Sequence, residues 1–376
     1  MAEMNLFWAD VIEPLAAELK PRTLLEIGSF AGGGTQRLLD YCRRSGAHLH
    51  VVDPKPAYDV QALRAQWGET LTYHLATSLA ALPSIGPVDV ALVDGDHNWY
   101  TVRNELENLR INAAKANVAF PLVFLHDVCW PYGRRDLYYD PDTVPADQRQ
   151  DYANAGVLPG QSALIPGGGF NSHCFNAIDE GNPRNGVRTA IEDFVADHAG
   201  EDFALEIFPV LFGLAIVYRR SDWLPSGFHE RLAQMRLAPT AQALVALAER
   251  ERVDALVEIQ ALERRIDILE RRVSAAEGVV RDNQAQMGLV SERLNRARND
   301  AKQFQSMAAM KSAEVAIVKA DLEAQVSVLR KKLARWETSF VGRVAAGLQQ
   351  LAVWQAGVAR GIRRAIHPAS RARQKA

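Results

Sequence analysis

Three carboxylates and two imidazoles stand at the ends of two apolar runs in this chain. The run 88–94, Val-Asp-Val-Ala-Leu-Val-Asp, leads into Asp94, Asp96 and His97, and the run 120–126 leads into His126 and Asp127. No turn residue precedes Asp94, so a buried-looking strand terminates in charge. If the two runs are neighbouring strands, Asp94, His126 and Asp127 converge. Two carboxylates and an imidazole with open positions can hold a divalent cation of the magnesium, manganese or iron type. The plainer alternative makes Asp94 a helix cap and His126 a hydrogen-bonded core histidine.

A second group of residues lies upstream. The run 23–28 passes through Glu26-Ile-Gly28-Ser29-Phe-Ala-Gly32-Gly-Gly-Thr35. Glycines between a strand and a helix let a ligand approach the backbone closely. Phe30 stands where the dinucleotide fingerprint needs its second glycine, so this is not that motif. The run 48–53 ends in Asp53, which is placed to accept hydrogen bonds from ribose hydroxyls. A tight turn with a surface aspartate is the alternative, but the two features at this spacing favour a nucleoside-type ligand.

These residues need elements to position them. Short apolar runs at 23–28, 48–53, 71–75, 88–94 and 120–126 alternate with helical patterns at 33–45, 58–67 and 98–116. That alternation predicts an α/β fold, a Rossmann-like doubly wound sheet, mostly parallel and covered on both faces. A helix at 187–198 and strands at 203–208 and 213–219 follow, the last two expected to close the sheet edge as an antiparallel pair. Ligands of such sheets sit at the carboxyl ends of the strands. The irregular insertion 129–186 is too long for an ordinary connection. Its Trp130, Tyr132, Arg134, Arg135, Tyr138 and Tyr139 offer flat faces and donor forks for stacking on sugar rings or pairing with anions. A lid or a dimer contact are the other uses of such a segment.

The chain has 376 residues, 48% of them hydrophobic, enough for one good core and something beside it. A formal net charge of −2 advertises no nucleic acid. Cys42, Cys129 and Cys174 are widely spaced, which fits a reducing cytosol. The first residues lack a basic-then-apolar leader, and no apolar run approaches the roughly 20 residues of a membrane span. The expectation is a cytoplasmic protein.

Beyond residue 225 only Pro239 and Pro368 interrupt a composition rich in Ala, Glu, Arg, Leu and Gln. The expected boundaries are therefore a first domain at 1–225 and a helical connector at 226–258. From Ile259 to Trp336 an apolar residue recurs at every seventh position, through Ile266, Val273, Leu322 and Leu329 among others. The companion positions are mixed and include Asn283, Lys311, Gln325 and Lys332. Such a repeat predicts a coiled coil over 259–337, a parallel homodimer reaching roughly 120 Å if continuous. The tail 338–376 carries seven basic residues and no acid beside an apolar side. It reads as a contact for a membrane surface or a protein partner, which would allow a peripheral place at the inner membrane, or as a solvated end.

Taken in order, EIGSFAGGGT, VVDP, LVDGDHNWYTVRNELE and FLHDV resemble class I S-adenosylmethionine (SAM)-dependent methyltransferases. The nearest likeness is the metal-dependent O-methyltransferase branch with macrolide-sugar and catechol-type members, methyltransferase domain 24. It covers residues 20–220. The resemblance implies that Glu26, Gly28, Ser29 and Gly32 line the methionine and ribose portions of SAM, with Asp53 on the ribose and Thr77 and Ser78 near the adenine. It makes Asp94, His126 and Asp127 ligands of a divalent cation, magnesium foremost, and His97 the general base. Many members carry a carboxylate at the position of His126, which leaves the cation open. The implied activity is methylation of a hydroxyl, on a sugar of a glycan, glycolipid or glycosylated metabolite. The alternatives are a related hydroxylase-like enzyme and a coiled-coil scaffold with a vestigial nucleotide fold.

Overall fold

The computed structural model describes residues 3–220, 224–294 and 301–358, with side chains in the two last helices described up to 287 and in part over 305–339. The chain divides into two units, Met1–Ala261 and Leu262–Ala376. In chain order the first unit contains α1 (Glu13–Leu19), β1 (Thr23–Ile27), α2 (Gly33–Ser45), β2 (His48–Val52), α3 (Val60–Trp67) and β3 (Leu71–His74). Next come α4 (Ser78–Ala81), β4 (Val90–Val93), α5 (Trp99–Ala116) and β5 (Leu122–His126). The segment 129–186 holds β6 (Leu137–Tyr138), β7 (Tyr152–Asn154), β8 (Gly156–Leu158), β9 (Gln161–Ile165) and β10 (Phe175–Ala177). After it stand α6 (Val187–Asp197), β11 (Phe203–Phe208), β12 (Leu214–Arg219), α7 (Ser226–Met235) and the long helices α8 (Pro239–Leu294) and α9 (Ala301–Val358).

The main sheet runs β11-β12-β5-β4-β1-β2-β3. The pairs from β3 to β5 are parallel, and β12 is antiparallel to both β5 and β11. Strands β1, β2 and β3 proceed outward in one direction while β4 and β5 proceed in the other. The order reverses between β1 and β4, where doubly wound sheets hold their ligands.

Residue alternation explains why the sheet is covered twice. Every residue of β4 and β5 is buried. Leu24, Leu49, Val90, Leu92 and Phe124 pack on one face with Leu15, Leu38 and Leu39. Leu25, Ile27, Ala91, Val93, Val123 and Leu125 pack on the other with Val102, Leu106, Ile191 and Phe194. The period of 2 sends successive side chains to opposite cores.

Three expectations need correction. First, the segment 129–186 is not irregular: it forms a three-stranded sheet, β6-β10-β7, and the β8-β9 pair. Strands of two to five residues broken by Gly and Pro are too short to show a period. Second, the first unit reaches Ala261 rather than 225. Phe228 and Leu232 of α7 are buried in the core, and Val253 of α8 packs with Val157, Phe170 and Phe212. Glu249 also accepts a 2.8 Å hydrogen bond from the Phe212 amide.

Third, the heptad run is not one continuous helix. In the second unit Ile266 and Leu269 of α8 are buried against Leu322 and Val326 of α9, with Val273, Leu329 and Leu333 beside them. Glu270 pairs with Arg330, and Glu277 pairs with Lys319 at 2.9 Å. Moving forward on α8 moves backward on α9, so the two pack antiparallel as a helical hairpin. The polar companions Gln325 and Lys332 show why: α9 uses Val326 and Leu333, one position later, to complete its apolar stripe. Most side chains of the tail 338–376, and all of 359–376, lie outside the described residues. Among those described, no helix is long and apolar enough to cross a membrane.

Phe228 is fully buried, so Phe228→Ala should destabilise the first unit by about 3–5 kcal/mol, the usual cost of truncating a core phenylalanine. Denaturant unfolding followed by tryptophan fluorescence measures this. A midpoint equal to that of the parent chain would place α7 outside the core.

Candidate functional site

Val93 pairs with Leu125 in the β4–β5 ladder, so the next residues, Asp94 and His126, emerge side by side at the carboxyl edge. His126 Nε2 lies 2.9 Å from the Leu211 carbonyl. A carbonyl only accepts, so that nitrogen carries the proton and Nδ1 is turned toward the carboxylates. Nδ1 is 3.3 Å from Asp94 Oδ1 and 3.4 Å from Asp127 Oδ2. Asp127 has φ of 59°, a left-handed conformation that aspartate tolerates better than most residues. One ligand atom from each of Asp94, His126 and Asp127 lies within 4.8 Å of the others.

His97 joins the same cluster. Its Nε2 is 2.7 Å from Asp127 Oδ2 and 3.5 Å from Asp94 Oδ1. The two contacts are ionic proximities, since neither ring nitrogen makes an aligned hydrogen bond among the described residues. The His97 carbonyl accepts from the Leu137 amide at 2.9 Å, and its ring sits between Tyr132 and Tyr139 at centroid distances of 5.7 and 5.8 Å. Helix-starting duty belongs to Asn98, whose side chain accepts from the Thr101 amide. Asp94 and His97 are thus free of the capping role.

Burial and charge compete over these groups. Burial acts to lower the His97 pKa, but Asp127 and then Asp94 override it and hold the ring up, at about 10. His126 is likewise raised well above its usual range, against burial, by Asp94 and Asp127. The two aspartates face the reverse contest: burial favours their neutral forms, and the histidines push both below the usual carboxylate range.

The glycine loop lies one strand away. A Cβ on Gly28, whose φ is +85°, would stand 2.2 Å from the Asp94 carbonyl, so β1 and β4 approach too closely there for any other residue. Asp53 holds the loop. Its Oδ2 accepts from the Ser29 amide, the Ser29 hydroxyl and the Phe30 amide, each at 2.9 Å, and Oδ1 accepts from the Lys55 backbone amide at 2.8 Å. Oδ1 keeps a lone pair for a further donor. Glu26 accepts from Thr35 at 2.6 Å, and burial first, with the nearby carboxylates, lifts its pKa to about 8. Gly32 is the N-cap residue of α2, and Thr77 and Ser78 follow β3 as the N-cap and first residue of α4.

The insertion residues are arranged differently from the expectation. Arg135 is fully buried, its guanidinium donating to the carbonyls of Ala177, Ile178 and Ser162. Tyr138 is buried and donates to Asp136 at 2.8 Å. The Tyr132 hydroxyl accepts from Asn171 at 2.8 Å, Arg134 pairs with Glu192 at 2.7 Å, and Trp130 packs on Phe170. These five fasten the insertion to itself and to α6. Tyr139 alone of the six is exposed, at 60%, beside His97.

The N-terminal segment was not legible as part of the site. Met4, Asn5, Trp8 and Ile12 line a cavity with Glu26, Gly28, Ser29, Gly34 and Asp94, and the Phe7 ring lies 6.2 Å from His126. Their helical spacing reads as core, and most of them are indeed buried, so no feature of the sequence singles them out.

Residues 25–128 match the family model described as a methyltransferase domain, methyltransferase domain 24. The matched stretch carries Glu26, the glycine loop, Asp53 and all three of Asp94, His126 and Asp127. It supports a class I SAM-dependent methyltransferase. No curated protein matches the sequence. Similar solved structures include the methyltransferase PaMTH1 of Podospora anserina bound to S-adenosylhomocysteine, at 12% identity, with 56% of this chain and 77% of that one covered and a TM-score of 0.32. Another is the 1,6-didemethyltoxoflavin N1-methyltransferase of Burkholderia thailandensis, at 14% identity, with 58% and 82% covered and a TM-score of 0.29.

Beneath the site, Glu105 of α5 is fully buried, and neither carboxyl oxygen has an aligned hydrogen bond among the described residues. Burial, with a contribution from Asp96, raises its pKa to about 8, partly offset by Ser78 and His97. The folded chain therefore holds a proton between the ordinary value of 4.5 and about 8 that the unfolded chain releases. Glu105 is then a source of stability that fades as pH rises through that window. Glu105→Gln, which stays neutral, should raise the melting temperature at pH 8 and have little effect at pH 5. Equal shifts at both pH values would show that Glu105 does not titrate in this way.

Proposed function

We propose that the first unit is a SAM- and divalent-cation-dependent O-methyltransferase acting on a hydroxyl, most directly that of a sugar in a glycan, glycolipid or glycosylated metabolite. The observation that supports it is the convergence of Asp94, His126, Asp127 and His97 at adjoining strand ends, next to the glycine loop fastened by Asp53. The donor set fits a hard or borderline cation: two carboxylate oxygens and one imidazole nitrogen whose other nitrogen is fixed on the Leu211 carbonyl. Glu26, Gly28, Ser29, Gly32, Asp53, Thr77 and Ser78 would hold SAM, with the spare lone pair of Asp53 Oδ1 available to a ribose hydroxyl.

SAM supplies a methyl group on a sulfonium sulfur. Asp94, His126 and Asp127 would hold a divalent cation, which would supply Lewis acidity toward a sugar hydroxyl and positive charge in place of the two protonated imidazoles. The chain's own residues do the rest. His97 reaches the carboxylate cluster from the α5 side and would accept the hydroxyl proton as the oxygen attacks the methyl carbon in line, the carbon–sulfur bond breaks and S-adenosylhomocysteine leaves. Its ring packs beside that of Tyr132, with the centroids 5.7 Å apart. Tyr139 offers an exposed aromatic face beside His97, a surface on which a sugar ring can stack.

Methyl transfer from labelled SAM to a pool of cell glycans is expected to require a divalent cation and to disappear with EDTA. Asp94→Ala should abolish transfer while S-adenosylhomocysteine binding persists. Full transfer in EDTA would make the three residues structural and remove the cation from the reaction.

His97→Gln should lower turnover by roughly 10²–10⁴-fold, the range for loss of a general base, with bound metal unchanged. Turnover within twofold of the parent would mean that another group takes the proton.

A further inference from the structure

The cavity beneath the N-terminal segment contains a residue to which neither the motifs nor the reaction gives a role. A Cβ built on Gly34 would stand 2.6 Å from Glu26 Oε1 and 3.1 Å from Asn5 Oδ1, and one on Gly33 would stand 3.5 Å from Asn5 Nδ2. The carboxamide of Asn5 and the carboxyl of Glu26 therefore lie close together against the bare backbone of Gly34, with Gly33 beside the same carboxamide. Asn5, Glu26 and Gly34 are lining residues of the same cavity as Gly28, Ser29 and Asp94.

The segment that brings Asn5 there is fastened. Met4, Phe7 and Trp8 are buried in the sheet's core, and the Trp8 ring meets Tyr41 edge-on at 6.0 Å. Asn5 lies between these anchors, so its side chain is presented by a fixed backbone rather than by a free end.

The lining suits one chemical class. It holds the carboxyls of Glu26 and Asp94 and no lysine or arginine. An ammonium finds acceptors in it, whereas a carboxylate must find neutral donors. An asparagine amide supplies both a donor and an acceptor. A zwitterionic amino-acid end, with its ammonium on Glu26 and its carboxylate on the Asn5 amide, satisfies the set.

Resting on the reading of this site as one for SAM, we propose that Asn5 is a cofactor-binding residue that recognises the amino-acid end of the cofactor together with Glu26. It binds the methionine-derived carboxylate and thereby sets how far the sulfonium sits from the carboxylate cluster. The N-terminal segment is then part of the cofactor site, distinct from the adenosine side that Asp53, Thr77 and Ser78 serve.

Two ligands separate the contributions. S-adenosylhomocysteine carries the amino-acid end, and 5′-methylthioadenosine keeps the adenosine and sulfur but lacks it. Calorimetric titration of the full chain should show that Asn5→Ala weakens S-adenosylhomocysteine about tenfold, as for one hydrogen bond to a charged group, and leaves 5′-methylthioadenosine unchanged. Asn5→Asp, which sets a carboxylate against the ligand's carboxylate, should weaken S-adenosylhomocysteine further and again spare 5′-methylthioadenosine. Unchanged S-adenosylhomocysteine affinity in both variants overturns the assignment of Asn5 alone. Equal losses for the two ligands overturn it too, because they mark a merely structural residue. A parent chain that binds neither ligand overturns the SAM reading and this inference with it.

Discussion

Asp94 and Asp127 are largely buried where two parallel strands end, and two carboxylates so placed repel each other unless positive charge lies between them. His126 and His97 supply it here, at distances of 2.7 to 3.5 Å. Much of the surrounding structure serves that arrangement. The β4–β5 register brings Asp94 level with His126, the left-handed turn at Asp127 returns its carboxylate to the cluster, and the Leu211 carbonyl fixes which nitrogen of His126 looks inward. A site built to gather anionic oxygens is well suited to a divalent cation, and the same electrostatics describe both occupied and protonated states.

The glycine loop depends on the same strand ends. Gly28 must lack a side chain because the Asp94 backbone passes beside it, so the geometry that sets the carboxylates also sets the loop. Asp53 secures the loop through three hydrogen bonds on one oxygen and leaves the other oxygen partly available. On the proposed function, a cofactor at the glycine loop and a cation at the carboxylates would share this wall, and a sulfonium methyl and an acceptor oxygen would lie near each other. This economy of position is what an in-line transfer needs.

Much of this was visible in the sequence because parallel sheets announce themselves. Strands buried on both faces are continuous apolar runs, and in VDVALVD and FPLVFLH the charge at the end has no packing reason to be there. Those runs end within a residue or two of the strands observed. Three features were not visible, for different physical reasons. The strands of 129–186 are too short to carry a period, and Arg135 and Tyr138 look like ligand-facing residues until their partners, backbone carbonyls and Asp136, are known. The helical hairpin of the second unit shares its heptad series with a continuous coil, because a seven-residue repeat does not say whether the facing helix is another chain or the same one. Val326 and Leu333, one step off the expected companion positions, hold the difference. Asn5 escaped notice since a lone asparagine among core residues carries no pattern at all.

The central claim is that Asp94, His126 and Asp127 form one cation site. Titration of Mn²⁺ into the full chain, followed by electron paramagnetic resonance, tests it most directly. One ion per chain is expected, with nitrogen coupling from a single imidazole that vanishes in His126→Ala. No binding above buffer, or binding whose nitrogen coupling survives that substitution, would contradict it.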